Sequence, residues 1–229
     1  MGRLWKTAIA KTLPVMAGYV VLGIGFGIIC QKNGYGFFWV LAMSGLVYAG
    51  SMQFVAVGLL TSGASLLTAA VTTLMVNARH LFYGISMVDR YKGMSAIKPY
   101  LMFTLTDETY SLVCTGDIPN GISPKSYYLT VSFLNHLYWV AGSLIGALFG
   151  SIITFNTAGI DFAMTALFIT VVVDQWRSTK NHLPAIIGAI SSVICLVIFG
   201  ADNFLIPAML VILACLTLGK KLFDKEADK

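Results

Sequence analysis

The sequence predicts an all-α fold, a polytopic transmembrane helical bundle of seven or eight helical segments, one or two of them broken or re-entrant. Three observations carry this. Of 229 residues, 57% are hydrophobic and only 11% charged, and the mean hydropathy is +0.81. That is more apolar side chain than a soluble chain of this size can hide from water, so lipid must solvate most of the surface. The apolar residues fall in long stretches parted by Gly, Pro, Asn and charged breaks, as spanning helices require. Within the stretches the apolar runs are continuous rather than alternating at period two, which disfavours a β-barrel.

The first stretch, 13–30, follows Arg3, Lys6 and Lys11. This is the pattern of a signal peptide, but no convincing small-residue cleavage site ends it, so it reads as an uncleaved first helix. The others are 37–60, 64–88, 96–114, 127–150, 160–176, 184–200 and 204–219. Several have about 17 residues, short of the ~20 that cross a bilayer without tilt or thinning. Residues 1–12 read as a basic cytoplasmic N-terminus, 13–219 as the transmembrane domain and 220–229 as a charged cytoplasmic tail. With eight spans and the N-terminus inside, ten basic loop residues are cytoplasmic and four (Lys32, Arg90, Lys92 and Lys98) lie outside, in keeping with the positive-inside bias. The loop from Asp89 to Lys98 is the exception. Trp39, Tyr127, Tyr128 and Trp176 lie near span ends and read as interfacial belt residues. Asp161 reads as a helix cap, and Asp174 with Arg177 and Lys180 as interfacial. A faint echo relates Gly36–Phe54, ending in Gln53-Phe54, to Gly159–Trp176, ending in Gln175-Trp176.

The net charge of +5 is spread between apolar spans and forms no basic stripe, so no nucleic-acid partner is expected. Cys30, Cys114, Cys195 and Cys215 lie in or beside apolar stretches without a CxxC, and read as buried apolar residues. No HExxH, GxSxG, Walker A or GxGxxG pattern occurs. His80, His136 and His182 are spaced too irregularly for haem or metal ligation. The chain therefore reads as a non-enzyme with no catalytic residue, metal or cofactor.

Polarity inside the spans is the informative feature, because an ionisable side chain at mid-bilayer costs about 2.5–3.5 kcal/mol and is a functional candidate by default. The first cluster is Gly50-Ser51-Met52-Gln53-Phe54. Gly50 and Ser51 can loosen the helix, offering unpaired N–H groups to a carboxylate, and Gln53 can both donate and accept. Alternatively, Gly45, Ala49, Gly50 and Ser51 allow another helix to pack closely, with Gln53 as interhelical glue. The second cluster is Asn77-Ala78-Arg79-His80, followed by Tyr83 and Gly84. On a helix Asn77, His80 and Gly84 share one face and Arg79 and Tyr83 another. Arg79 must snorkel, pair with an acid or bind an anion, and His80 can relay protons or serve a structural hydrogen bond.

The third cluster, Thr106-Asp107-Glu108-Thr109, sits in the middle of the stretch from Pro99 to Cys114. Adjacent acids point about 100° apart on a helix, so one can pair with Arg79 while the other faces a cavity. Arg79, Asp107 and Glu108 sum to −1, and the spare charge calls for a proton or an ammonium group. A loop between two short helices is the alternative, and the flanking Leu101, Met102, Phe103, Leu105, Leu112 and Val113 argue against it. Asn135 and His136 are secondary candidates, lining the same cavity or bridging helices.

The strings YAGSMQF (Tyr48–Phe54), NARHLFYG (Asn77–Gly84), TDET (Thr106–Thr109), NHLYW (Asn135–Trp139) and DFAMTALF (Asp161–Phe168) occur in this order. Together they resemble the AzlC family, the large permease subunit of bacterial branched-chain amino-acid exporters. The resemblance runs from about Pro14 to Trp176. It implies a multi-pass permease of the bacterial inner membrane that exports neutral amino acids by proton antiport, with a small hydrophobic AzlD-type subunit as partner. A carboxylate near Gly50, Ser51 and Arg79, an ammonium near Asp107 or Glu108 and an apolar side chain against Met52, Phe54 and Tyr83 would make the substrate site. A passive channel and a non-transport assembly subunit remain as alternatives.

Overall fold

The computed structural model describes residues 2–114, 116, 118, 120–150, 169, 172, 173, 176, 177, 181–200 and 204–227. Among them every element is helical. In chain order they are α1 (Gly2–Lys32), α2 (Phe37–Ala42) continued by a π-helical turn (Met43–Val47), α3 (Gly50–Thr61), α4 (Leu66–Met87), α5 (Lys98–Phe103) entered through a 3-10 turn (Ser95–Ile97), α6 (Asp107–Val113), α7 (Pro124–Phe149), α8 (Leu183–Phe199) and α9 (Leu205–Ala227). The chain divides into two compact units, 1–164 and 165–229. In the second, α8 starts with Pro184 in its first turn and ends at Gly200, whose φ of +73° turns the chain toward α9. Asp161, Asp174, Gln175, Lys180 and most of the sixth stretch lie outside the described residues.

Among the described residues only α1 and α7 are both long and apolar enough to cross a bilayer by length and composition, and they form the spine of the first unit. The reason is steric. A methyl group added at Gly27 would strike the backbone of Ser143, and one at Gly146 would strike the Ile24 carbonyl. Gly23 and Gly142 sit in the same seam, where an added Cβ would come within 2.8 Å of the facing backbone. Glycines spaced by four residues on both helices thus bring the backbones into direct contact, which is how helices gain dispersion energy in lipid.

The second and fourth stretches are interrupted, and each break has a local cause. Ser44 Oγ donates back to the Val40 carbonyl at 2.6 Å, which loosens the ladder, and the Tyr48 N–H reaches back five residues to the Met43 carbonyl. Tyr48 then adopts the left-handed conformation, with φ 46° and ψ 47°, and Ala49 is non-helical. The helix therefore breaks at Tyr48-Ala49, just before the glycine and serine that suggest an interruption, and Gly50 starts α3. In the fourth stretch Thr104 Oγ1 donates to the Tyr100 carbonyl at 2.8 Å, and Thr106 is extended and caps α6 by accepting the Thr109 N–H. Here the expectation of a continuous helix through Asp107 and Glu108 is corrected. The two acids occupy the first turn of a short helix, where the helix dipole favours them. The flanks are apolar because both short helices are buried, with Leu101 and Val113 fully covered, and burial does not require continuity.

Two other expectations change. Tyr127 and Tyr128 are buried at 1% and 3% exposure against Tyr91, Met87 and Leu101, so they are core residues rather than belt residues, while Trp39 is exposed and stacks on Tyr35. Arg90, one of the basic residues in the exceptional loop, donates to the Val113 carbonyl at 3.3 Å. It neutralises the C-terminal end of α6, which gives it a structural use independent of loop topology.

Candidate functional site

The two breaks place two helix starts within reach of one cation. Arg79, on α4, pairs through Nη1 with Asp107 Oδ2 at 2.9 Å, and its Nη2 donates to Ser51 Oγ at 3.1 Å. One guanidinium thus joins the first turn of α3 to the first turn of α6. Its planar fork can hold two acceptors at once, which an ammonium on a flexible stem does less well. Snorkelling does not describe this arginine. Tyr83, one turn further along α4, stacks on Tyr110 of α6 with ring centroids 4.5 Å apart and extends the same contact.

Glu108 turns the other way. Among the described residues it has no cation within salt-bridge distance. Its Oε2 lies 2.7 Å from the Tyr19 hydroxyl of α1, and that hydroxyl is also 2.7 Å from Thr106 Oγ1. Thr106 donates to Thr109 Oγ1 at 3.0 Å, and Asn135 Nδ2 of α7 donates to the same oxygen at 3.0 Å. The chain of polar groups runs from a carboxyl to an amide across α1, α6 and α7. The adjacent acids do split as the helical angle demands, one toward Arg79 and one away.

The remaining candidates disperse. Gln53 is fully buried and its Oε1 accepts the Trp139 indole N–H at 2.9 Å, tying α3 to α7, while its Nε2 has no partner among the described residues. Gly50 lies against the same indole, where an added Cβ would sit 3.5 Å from Cη2, so close packing and an exposed helix start coexist there. Met52 and Phe54 are buried, and Phe54 meets Phe26 edge-on at 5.6 Å on the spine side. His80 Nδ1–H donates to the Asn77 carbonyl of its own helix at 3.2 Å, and its ring edges onto Tyr83. His136 sits among the rings of Tyr48, Phe103 and Tyr100, at 4.4, 5.8 and 6.1 Å, with Nδ1 3.2 Å from the Tyr100 hydroxyl.

Asn135 Oδ1 and Gln53 Nε2 are buried without a hydrogen-bond partner among the described residues, while the Tyr48 hydroxyl lies beside those of Tyr19 and Thr106 and the His136 ring beside the Ser44 and Gly45 backbone. Buried polar atoms are normally satisfied, and these atoms lie on the elements that flank the two breaks. Tyr19 escapes the reading of the sequence, while the two threonines enter it only as members of the third cluster. Tyr19 stands in an apolar run and reads as packing, whereas Thr106 and Thr109 flank the acids and carry the spacing of a helix cap.

Comparison with known proteins covers this whole region. Residues 14–153, from within α1 to past the end of α7, match the family described as AzlC protein. The chain belongs to the AzlC family. It is 45% identical to the branched-chain amino acid transport protein AzlC of Bacillus subtilis strain 168, over 96% of this chain and 87% of the relative. It is 40% identical to an uncharacterized membrane protein of Helicobacter pylori, over 95% of each chain, and 27% identical to the inner membrane protein YgaZ of Escherichia coli K12, over 90% of this chain and 86% of the relative. No solved structure matches it. Family and helices together make the chain a multi-pass protein of the bacterial cell membrane.

Proposed function

We propose that the chain is the large subunit of a secondary transporter that exports branched-chain amino acids in exchange for protons, alongside a small hydrophobic AzlD-type subunit. The observation that carries this is the arrangement at the two breaks. The ion pair of Arg79 with Asp107 is electrically neutral, and Glu108 adds one carboxyl with no cation within salt-bridge distance among the described residues. An ammonium group or a proton can neutralise it, and exchange between the two is antiport. The substrate carboxylate would be received by the uncapped first turn of α3 at Gly50 and Ser51, whose N–H groups carry the positive end of the helix, and by Arg79. Asp107 is held by Arg79, so the ammonium falls to Glu108. Tyr83 would touch the aliphatic side chain, with Met52 and Phe54 shaping the wall from behind. The branched-chain identity of the substrate is supported by the name of the Bacillus subtilis relative.

Liposomes containing the purified chain, with and without the small subunit, test this directly. An imposed proton gradient should drive labelled leucine or valine, and counterflow should saturate, as it would not for a passive channel. Absence of gradient-dependent flux for every neutral amino acid overturns the proposal.

A further inference from the structure

The spine fixes the direction of every other element in the first unit. Contacts rise together along α1 and α7, with Val20 facing Gly142, Ile24 facing Gly146 and Ile28 facing Gly150, so the two helices run parallel. At their starting end Ala8 and Tyr127 pack with Met87, Tyr91, Leu101 and Val113. Met87 closes α4, so α4 runs antiparallel to the spine. Its 22 residues cover about 33 Å, which carries Leu66 toward the far end.

The two interrupted stretches do not cross between these ends. α1 finishes beside Gly150 at the far end, and α2 descends from there to Tyr48, whose ring is 4.4 Å from His136, halfway along α7. α3 then climbs back. Gln53 meets Trp139, Phe54 meets Phe26, whose neighbours Gly23 and Gly27 face Gly142 and Gly146, and a short loop leads to Leu66. α5 enters from the opposite end. Leu101 belongs to the starting cluster, while Phe103 reaches His136 and Tyr48, at 5.8 and 6.0 Å. α6 turns back, with Asp107 at Arg79, Tyr110 on Tyr83 and Val113 inside the starting cluster, its carbonyl held by Arg90.

We infer that 37–60 and 96–114 are re-entrant hairpins that enter the membrane from opposite faces, meet tip to tip at Tyr48 and Phe103, and act as the two gates of the path to Arg79. Charge assigns the faces. Arg3, Lys6, Lys11, Arg90, Lys92, Lys98 and Lys125 fall at the starting end and Lys32 at the far end, and an excess of basic residues marks the cytoplasmic side. The loop from Asp89 to Lys98 is therefore cytoplasmic and no exception; eight spans put it outside because 37–60 counted as a crossing. The hairpin of α2 and α3 closes the outer side and that of α5 and α6 the cytoplasmic side. Arg79 ties both, through Ser51 and Asp107. Withdrawing one hairpin from this tie opens the tips to one face alone, as alternating access requires. This deepens the exporter reading and rests on it only for the identity of what passes.

Single cysteines in a chain freed of Cys30, Cys114, Cys195 and Cys215 read the faces with a membrane-impermeant maleimide. On intact cells Ser62→Cys, between α3 and α4, should label as readily as Asn33→Cys, and Lys92→Cys only after permeabilisation, as Lys6→Cys does. Eight spans reverse the first and third of these. Trypsin should likewise cut the unaltered chain at Lys92 in inside-out vesicles and spare it in spheroplasts. Labelling of Lys92→Cys on intact cells, protection of Ser62→Cys, or cleavage at Lys92 in spheroplasts overturns the hairpins. Ala49→Cys, at the tip of the outer hairpin, should react with a small charged thiol reagent added to either face of oriented vesicles, and leucine should slow both reactions. Reaction from one face only, or from neither, overturns the gates. Reaction from both faces that no neutral amino acid slows sinks the substrate assignment and leaves the gates standing.

Discussion

The crossing of α1 with α7 and the pair of interrupted helices solve opposite problems within one unit. At the crossing, glycines strip the surface until backbone meets backbone, and two unbroken helices gain contact over their length. At the interruptions, the regular four-residue hydrogen-bond ladder stops at Tyr48-Ala49 and at Leu105-Thr106, and polar side chains gather around the ends. The contrast teaches that a membrane protein can afford irregular backbone only where something rigid stands behind it. Trp139 and Asn135 show the arrangement, since both project from the continuous α7 to hold Gln53 of α3 and Thr109 of α6.

That division of labour can be broken from either side. The largest effect should come from the spine: Gly27→Leu or Gly146→Leu places atoms on the facing backbone and should abolish monodisperse folded protein, read by fluorescence size-exclusion chromatography. Next comes Arg79→Gln, which strands the Asp107 carboxylate. Loss of one partner of a buried pair costs about 3 kcal/mol at the low end of the usual range, the end chosen because the Arg79 side chain is 33% exposed. The double variant Arg79→Gln with Asp107→Asn should recover most of the thermal stability but not transport. Gln53→Leu leaves the Trp139 N–H buried without an acceptor and should lower stability by about 1–2 kcal/mol, with a change in the environment of that indole seen in tryptophan fluorescence. The smallest effect belongs to Ser51→Ala. Interhelical hydrogen bonds in membranes average about 0.6 kcal/mol, so stability should barely move, while the KM for substrate rises if Ser51 helps Arg79 face the carboxylate.

The same contrast explains what could be read in the amino-acid sequence. Helical class follows from hydrophobicity alone, and the interruption near Gly50 is signalled by small and polar residues inside an apolar run. The break before Asp107 is signalled only by Thr104 and by Thr106–Thr109, polar residues that a continuous cavity-facing helix would also carry. Its flanks are as apolar as a spanning helix, because α5 and α6 are buried by neighbours rather than by lipid, and periodicity cannot distinguish the two environments. Tyr127 and Tyr128 mislead for the same reason: an amphipathic ring near a helix start suits both an interface and a core. The four-residue spacing of Gly23 with Gly27 and of Gly142 with Gly146 is visible, but many glycines populate these spans, and only the partner helix shows which ones touch. Arg79, Asp107 and Glu108 are conspicuous as charges. Tyr19 is not, since its role arises from a hydroxyl brought to a carboxyl 89 positions away.

Tyr48 has a left-handed backbone that a non-glycine residue holds only at a cost of about 1–2 kcal/mol. Glycine would turn the corner freely. What the tyrosine supplies instead is a ring 4.4 Å from His136 and 6.0 Å from Phe103, a strut between the bend and two other helices. Ease of turning and placement of the ring oppose each other at a single position, and the chain has settled in favour of the ring. The first break is therefore a bend braced in one direction by an aromatic wedge, closer to a bracket than to a joint.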